Sequence, residues 1–399
     1  ATAGAVNLVT ADHVHHNRAT FTAGNFDHYR GVLLAAPEPS ERLDGYVGAE
    51  VLSNNGPYEN GDQLKRYNLM GRAAVRPAAG VELALQVQSM MGRWNMAGAM
   101  PLRLIEAGQV RRFGTLSGSD GGDTMRHTLN LTLRVNDLAQ GRFTAGAYGI
   151  RYAMNLFSNF TFFAADPVNG DQLRQSDLRT VTGAFAQYQR TFTLGPVRLG
   201  TTAGLQVRSD FIDVVLGRTV AREPLETVVR SRVAQQTYAA YTELDVGFTS
   251  WLRAVVGARV DGFHYQVDDR LGGGRGALDA GLFSPKGALI VTPHSTVSFF
   301  GNVGRGFHSN DARALQAPTV ATSYEVGARY RPGALLDVGL VAWAMNLDSE
   351  LVWVGDEGRT EASGASRRRG LELDVSTRPT SWLSATASGT LTEARFAHG

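Results

Sequence analysis

The sequence lacks several features on which common protein functions depend. It contains no cysteine, which excludes disulfide bridges, thiolate zinc sites and cysteine nucleophiles. No apolar run reaches the roughly 18 residues of a membrane-spanning helix, so a transmembrane helix is not expected. The formal net charge is only +2, and the charge total therefore gives no reason to expect nucleic acid as a partner.

The chain is rich in glycine and has a sequence period of two. There are 46 glycines against 13 prolines. Apolar and polar residues alternate through 128–135, 197–208 and 324–331. Because successive side chains of a strand point to opposite faces, this period predicts β structure and not helix. Around 148–152 and 185–190 the two phases mix, which predicts β-bulges there.

The phase of the charged residues indicates what the two faces of these strands meet. Arg66, Arg72 and Arg76 share one phase of their segment, and Arg253 and Arg259 share one phase of theirs. An arginine that faces lipid near the membrane midplane costs about 2–4 kcal/mol. The phase that collects the arginines is therefore predicted to face away from lipid, into the lumen of a transmembrane barrel.

The connections between the predicted strands alternate in length. Short turns are predicted at 77–80, 136–141, 195–196, 249–250, 293–294, 332–333 and 379–381, and long connections at 54–62, 93–122, 156–177, 210–232, 267–279, 304–320 and 347–365. Short turns at one rim and long loops at the other are typical of an outer-membrane barrel. The sequence thus predicts an all-β fold, an antiparallel up-and-down transmembrane β-barrel, with about sixteen strands of about 10–14 residues.

Four stretches match segments of one known family in their order and spacing. Residues 1–10 (ATAGAVNLVT) resemble the end of a plug domain. Residues 283–315 contain FSPKGALIVTP and GFHSNDAR, in the place of a strand, turn, strand and outer loop that usually carry a GFRAP-like string. Residues 322–352 and 361–375 resemble the hairpin and the strand that follow. On these motifs the chain resembles the TonB-dependent receptors.

The resemblance carries expectations about architecture and partners. It implies a barrel of about 22 strands around a plugged lumen, of which about sixteen are present here. Residues 1–12 would be the end of the plug domain and a linker, and 13–399 the barrel, incomplete at its C-terminus. The expected location is the outer membrane of a Gram-negative bacterium. The expected partners are membrane lipid and lipopolysaccharide, and the TonB complex through the N-terminal region.

The resemblance also implies a function. The expected function is uptake of a scarce nutrient with energy from the TonB complex, and a siderophore–iron chelate is the common case in the family. No enzyme activity, cofactor or nucleic-acid partner is implied. A passive porin-like channel is the alternative, although the plug-like residues 1–10 argue against it.

Five residues in the predicted outer loops are candidate ligand contacts, namely Arg93, Trp94, His308, Asn310 and Trp353. Aromatic, amide and basic side chains on loops above a rigid scaffold are common ligand contacts. In the resemblance, His308 and Ser309 stand where the family usually has arginine and alanine. The same side chains would also suit packing of the loops against the barrel, and this alternative stays open.

Two clusters fall short of a metal or catalytic site. The cluster at 12–16 places His13 and His15 on one strand face, but no further ligand is near in sequence, so no metal is predicted. The cluster at 308–311 has the residue types of a hydrolase triad, yet adjacent positions cannot supply its geometry. The run 367–369 is three arginines. Alternation puts Arg367 and Arg369 on one face and Arg368 on the other, so the lumen and the membrane rim would each receive part of the run. An anionic ligand or a phosphate of lipid A is a further candidate partner.

Overall fold

Seventeen antiparallel strands form one continuous sheet. The computed structural model describes residues 9–38, 40–98, 100–349, 351–354, 359–362 and 364–397. The strands are β1 (Arg18–Gly24), β2 (His28–Ala35), β3 (Leu43–Asn54), β4 (Leu64–Ala78), β5 (Val81–Asn95), β6 (Gly121–Leu138), β7 (Gly141–Ser158), β8 (Leu173–Leu194), β9 (Val197–Val220), β10 (Glu223–Gly247), β11 (Leu252–Asp269), β12 (Arg275–His294), β13 (Val297–His308), β14 (Thr319–Gly333), β15 (Leu336–Leu347), β16 (Leu351–Val354), β17 (Arg359–Ala362), β18 (Ser366–Thr377) and β19 (Ala385–Phe396).

The strands pair in the order of the chain. Each strand from β1 to β15 pairs with its sequence neighbours. Strand β15 then pairs with β18, and β18 with β19, while β16 and β17 form a hairpin of their own. This is the predicted antiparallel up-and-down topology. The count differs slightly, because the sheet in the described residues has seventeen strands where about sixteen were expected. The β16–β17 hairpin, in the predicted connection 347–365, is not counted among the seventeen.

Helical structure in the described part of the chain is confined to two short pieces. These are α1 (Leu102–Glu106) and a 3₁₀ turn (Ala312–Ala314). None of the described helices combines the length and the hydropathy that a membrane crossing requires. Both pieces lie in connections between strands, so the helical residues are part of the loops and not of the barrel wall.

The two faces of the sheet differ in polarity, as the charge phase predicted. On β5 and β6 the exposed residues Leu85 and Leu131 lie opposite each other. Three residues along, Glu82 lies opposite Arg134 on the other face, with 3.3 Å between Oε1 and Nη1. An apolar outer face and a polar lumen face are what a membrane barrel requires, because lipid offers charged groups no partners.

One long connection predicted from the sequence is wrong. Residues 210–232 are not a loop but the paired ends of β9 and β10, which turn only at Ala221 and Arg222. Both turn residues have positive φ, 50° and 73°. Alternation is lost here because above the membrane neither face of a strand meets lipid, so neither face needs to be apolar. The strands continue nonetheless, with two register shifts between Pro224 and Val229.

The bulges expected around 148–152 and 185–190 do not occur. The register of β7 with β8 runs without a shift from Arg142 to Ser158. The phases mix because large aromatic residues face the lumen there and lie over glycines of the next strand. A Cβ atom built on Gly183 would lie 2.4 Å from the Tyr148 ring, and one on Gly146 would lie 2.6 Å from the Phe185 ring.

Candidate binding site at the outer rim

The long loops meet at one rim of the sheet and are tied together by buried polar groups. Asp120, at the end of the loop between β5 and β6, is completely buried. Its carboxylate accepts hydrogen bonds from Ser117 Oγ at 2.6 Å, from the Asn159 backbone N–H at 3.0 Å and from Gln172 Nε2 at 2.9 Å. Because buried carboxylates are costly without donors, this set fixes two loops against each other.

The tip of the β9–β10 hairpin joins the same cluster. The Arg222 side chain donates to the Ser119 carbonyl at 2.7 Å and to Asn95 Oδ1 at 3.1 Å, and its guanidinium lies 5.3 Å from the centre of the Phe157 ring. Gln172 Oε1 accepts from the Arg222 backbone N–H at 2.8 Å. The longest hairpin of the barrel is thus bent onto the neighbouring loops, and the rim is ordered by side chains that are far apart in sequence.

The loop between β7 and β8 is ordered by its own aspartates. Hydrogen bonds from Asn169, from its backbone first and then its side chain, lower the pKa of Asp166 to about 2. For Asp171, burial raises the pKa, but backbone N–H donors at Ala165 and Asp166 outweigh it and the net direction is downward. Both carboxylates are therefore charged at neutral pH. The Asp166 carboxylate also accepts from Arg218 Nη2 of β9 at 2.9 Å.

The loop after β13 packs inside the wall. Ala312 is buried with Val233, Phe263 and Tyr265, and the Phe307 ring meets Phe263 edge-on at 5.2 Å between centroids. Its 3₁₀ turn is capped by Asp311, whose carboxylate accepts from the Arg313 backbone N–H at 2.9 Å. Burial raises the pKa of Asp311, and the Arg313 hydrogen bonds outweigh this to lower it. The GFHSNDAR string thus forms a compact cover over the aromatic part of the lumen wall.

The structure places two predicted contact residues on this loop. Asn310 spans its neck, since Nδ2 donates to the Ala317 carbonyl at 2.8 Å and Oδ1 accepts from Thr319 Oγ1 at 3.2 Å. His308 ends β13, with Nδ1 2.8 Å from the Ser309 carbonyl oxygen. Asn310 therefore has a structural task, while the His308 ring is positioned by a single local contact among those described.

The other three predicted contacts lie elsewhere. Trp94 is on the lumen phase of β5 and covers Gly122, where a Cβ atom would lie 3.1 Å from its ring. Arg93 is on the opposite phase, between Lys65 and Asp123 of the neighbouring strands. Trp353 lies in β16, and its side chain is outside the described residues. Among the described residues, no hydrogen bond, ion pair or ring contact joins Trp94 to His308 or Asn310, so these candidates do not form one cluster.

The lumen wall below the loops carries repeated ion pairs within single strands. On β9, Arg208 Nε lies 2.7 Å from Asp210 Oδ2. On β11, Arg259 Nη2 lies 2.8 Å from Asp261 Oδ1, and on β8 Arg179 pairs with Asp177. The carboxylates are the buried partners: the Asp210 side chain is 6% exposed and that of Arg208 is 51% exposed. The lumen therefore meets guanidinium groups on this part of the wall.

A different charge cluster lies at the rim of the short turns. The Arg72 side chain of β4 is only 4% exposed and donates to the Asp12 carbonyl at 2.6 Å and to Glu82 Oε1 at 3.0 Å. Arg134 Nη1 reaches Asp12 Oδ1 at 3.0 Å, and Tyr46 Oη donates to the Ala11 carbonyl at 3.0 Å. The segment that precedes β1 is thus bonded to the lumen face of the wall. We call these groups the entry clamp.

Metal chemistry has little support in the described residues. No group of three or more histidine, cysteine, aspartate or glutamate side chains is placed there to hold a metal ion. His13 and His15 instead pack ring against ring, edge-on, with centroids 4.5 Å apart. His13 Nδ1 lies 3.9 Å from Asp44 Oδ2.

The sequence motifs missed the residues that order the rim. Asp120, Gln172 and Arg222 lie in different loops, and Gln172 bonds to a residue 52 positions away and Arg222 to one 103 positions away. None of the three belongs to a local pattern, so no signal in the sequence pointed to them. Only the paired strands bring the loops to one place.

The polar wall, apolar exterior and ordered rim agree with a comparison against protein families. Residues 103–397 match the family model described as TonB dependent receptor-like, beta-barrel. The chain belongs to this family. The receptor resemblance inferred from the sequence is therefore confirmed. No curated protein matches the chain.

Solved structures of the same architecture are numerous but distant in sequence. The siderophore receptor PiuA from Acinetobacter baumannii has a TM-score of 0.81 at 11% identity, over 96% of this chain and 64% of its own. The ferric citrate transporter FecA has 0.78 at 13%, over 94% and 58%. The copper transporter OprC has 0.71 at 15%, over 94% and 61%. At such identities the likeness shows the fold alone.

These comparisons also show how much of its relatives' length the chain covers. It spans 58% of FecA and 65% of the ferric-catecholate import receptor Fiu from E. coli K12. The family and these relatives are receptors and transporters, not enzymes, which is consistent with the function class predicted from the sequence.

Proposed function

We propose that this chain is the barrel portion of a Gram-negative outer-membrane receptor that takes up a scarce nutrient with energy from the TonB complex. Residues 1–12 are the end of the plug domain and its linker, and 13–399 are the barrel. The observation that carries the proposal is the wall itself, with ion pairs on its lumen face, apolar side chains outside and loops ordered at one rim. The family match supports it.

Within this function, a siderophore–iron chelate is the proposed ligand class. Ferric citrate and siderophore receptors are among the structures that share the fold, although a copper transporter shares it too. The partly exposed guanidinium groups of Arg179, Arg208 and Arg259 on the lumen wall suit an anionic chelate. Trp94 and His308, at the outer ends of β5 and β13, are the proposed rim contacts, with Arg93, Asn310 and Trp353 as further candidates. The other proposed partners are the TonB complex, outer-membrane lipid and lipopolysaccharide.

The proposal is tested by uptake in the bacterium that carries the gene. Cells with and without the gene would be given a panel of radiolabelled ferric chelates (citrate, hydroxamate and catecholate), with copper and haem as further arms. We expect deletion to abolish uptake of one chelate, and an uncoupler or loss of TonB to abolish it equally. Uptake that survives the uncoupler would overturn energised transport and favour the passive porin-like channel.

The loop contacts are tested in the same assay. Trp94→Ala and His308→Ala are each expected to weaken ligand binding about tenfold, because each removes one side chain of an interface in which few residues dominate. Arg232→Gln is the control, since Arg232 lies on the outer face of β10 and pairs with Asp213 at 2.7 Å. Unchanged affinity in both loop variants would remove them from the site.

A further inference from the structure

Four neighbouring strands form an apolar surface on the outer face of the sheet. Strand registers place Val326, Ala342, Leu371 and Leu391 in one row across β14, β15, β18 and β19. Val326, Leu371 and Leu391 are exposed. The row toward the short turns holds Ala328, Leu340, Leu373 and Gly389. Rows of this kind face lipid in a membrane barrel.

The next two rows toward the outer rim change character. The first holds Tyr324, Ala344, Arg369 and Glu393, and the second holds Thr322, Asn346, Arg367 and Arg395. A tyrosine at this level marks the membrane interface, where aromatic side chains collect. The arginines therefore lie at the height of lipid head groups, directly above the apolar rows.

A groove connects the two levels. It has a volume of about 510 Å³ and is lined mainly by apolar residues that include Tyr324, Val326, Leu371 and Leu391, with the paired Arg369 and Glu393 at its polar end and Glu325 also in its lining. Such a groove matches one or two hydrocarbon chains whose charged end lies beside the guanidinium. The apolar walls and the polar end together favour an amphiphile as the occupant.

The charge at the upper end is positive. Among the described residues of the two upper rows, three arginines stand against Glu393 alone. Arg369 Nε lies 2.7 Å from Glu393 Oε2, and Arg395 also pairs with Glu393. The Arg369 and Arg395 side chains remain 73% and 78% exposed. One carboxylate cannot neutralise three guanidiniums, so an anionic head group is favoured here.

Part of the outer face is balanced by contrast. On β10 and β11 the residues above the apolar band include Arg232 with Asp213 at 2.7 Å, and His264 with Asp279 at 2.7 Å. In these pairs one acid stands beside one basic side chain, whereas the two upper rows of β14 to β19 hold three arginines and one acid.

We propose that the groove between β14 and β19 binds lipid A, with acyl chains on Val326, Leu371 and Leu391 and a phosphate on Arg367, Arg369 and Arg395. Guanidinium groups bind phosphate through paired N–H donors. Lipid A is the occupant chosen because it is the phosphorylated amphiphile of the leaflet at this rim. The proposal rests on the outer-membrane location proposed above.

The test uses the full-length protein purified from outer membranes and placed in lipid nanodiscs. Binding of diphosphoryl lipid A would be compared with monophosphoryl lipid A and with phosphatidylglycerol at equal charge. For the wild type we expect diphosphoryl lipid A to bind at least tenfold more tightly than either. R367Q/R369Q/R395Q is expected to remove this preference, and A342W, which fills the groove without changing charge, to weaken lipid A binding several-fold.

Arg232→Gln is the matched control, because it removes an outward arginine of the same barrel from a balanced pair. Wild-type binding in the triple variant, or equal loss in R232Q, would overturn the site. Equal binding of phosphatidylglycerol would also overturn it, since a general anionic surface would then suffice. Fractionation of the wild type with the outer membrane, and its heat-modifiable migration, test the location separately, so that a failed location and a failed site are distinguishable.

Discussion

The entry clamp and the ion pairs of β8, β9 and β11 both combine arginine with acidic side chains on the lumen face, but they bury opposite partners. On the upper wall the acids are buried and the arginines reach the lumen, since the Asp261 side chain has no exposed area. In the clamp it is Arg72 that is buried. The upper pairs join residues two apart in one strand, whereas Arg72 bonds to Asp12, sixty positions away. The first arrangement needs only one strand. The second requires the segment before β1 to lie against the barrel wall.

This difference assigns different tasks to the two regions. A pair within one strand neutralises charge locally and leaves its arginine available to whatever enters the lumen. The clamp instead uses its arginine to hold the segment before β1, so that a force applied upstream would be resisted at Ala11 and Asp12. The first arrangement keeps the lumen face polar, and the second fixes the segment before β1 to the wall.

The largest expected effect comes from removing the buried arginine of the clamp. Arg72→Met removes the buried guanidinium that Glu82 and Asp12 share. Because Arg134 still reaches both acids, the cost should lie near the lower end of the range for breaking a buried ion pair, about 3 kcal/mol. The midpoint of urea unfolding in lipid, followed by the heat-modifiable band, measures this loss. Arg232→Met, on the outer face, is the control and should change little. Similar midpoints for the two variants would show that the clamp does not stabilise the barrel.

A smaller effect is expected on the upper wall. Asp261→Asn keeps the shape of the side chain but removes the charge that Arg259 meets, and the loss should be about 1–3 kcal/mol. The Arg259 head is partly exposed and keeps Gln206 Oε1 at 3.0 Å, so water and Gln206 limit the damage. Asp213→Asn, in an exposed pair, should cost less than about 1 kcal/mol. An equal loss in the two variants would contradict the role assigned to burial.

Asp12→Asn tests separately what the segment before β1 and the barrel wall contribute to the entry clamp. Its carboxylate is half exposed, so global stability should fall by no more than about 1 kcal/mol. The backbone bonds of Ala11 and Asp12 to Tyr46 and Arg72 remain. Hydrogen exchange of residues 9–13 is expected to quicken while β4 and β5 stay protected. Unfolding as severe as that of Arg72→Met would show that the segment supports the wall and not the reverse.

The smallest effect is expected at Asp166, whose carboxylate is hydrogen-bonded mainly within its own loop and not in the barrel wall. The folded pKa of Asp166 is lowered to about 2, below its ordinary value near 3.9. Its contribution to loop order is therefore complete above about pH 4 and is lost as the pH falls toward 2. Hydrogen exchange of residues 164–171, compared at pH 5 and pH 3, should show the first loosening. Asp166→Asn should reduce the pH dependence to the part that Asp171 contributes, and a loop that loosens equally in this variant would refute the assignment.

Much of the wall was predictable from the sequence, for a physical reason. Lipid on one side and a polar lumen on the other force a period of two, and Leu85 and Arg134 obey it without reference to distant residues. Where a strand does not face lipid, this constraint is absent and the prediction from alternation failed. Residues 210–232 were assigned to a loop because strands above the membrane need no alternation, and the phases around Tyr148 were mistaken for bulges because its ring fills the space over a glycine.

The candidate site was less predictable. Trp94 and His308 were selected by residue type, and the structure places both at the outer rim without bringing them together. Arg93 was selected in the same way and lies on the outer phase of its strand. Asp120, Gln172 and Arg222 order the rim but belong to no motif.

The sequence by itself determined the class of fold, the face that each strand turns to lipid and the family, because these follow from local alternation and short motifs. The tertiary structure alone decided which loops are joined, where Asp12 is held and which arginines stand without enough acid. Those outcomes depend on registers that bring residues fifty to a hundred positions apart into hydrogen-bond distance, and no local pattern encodes such a distance.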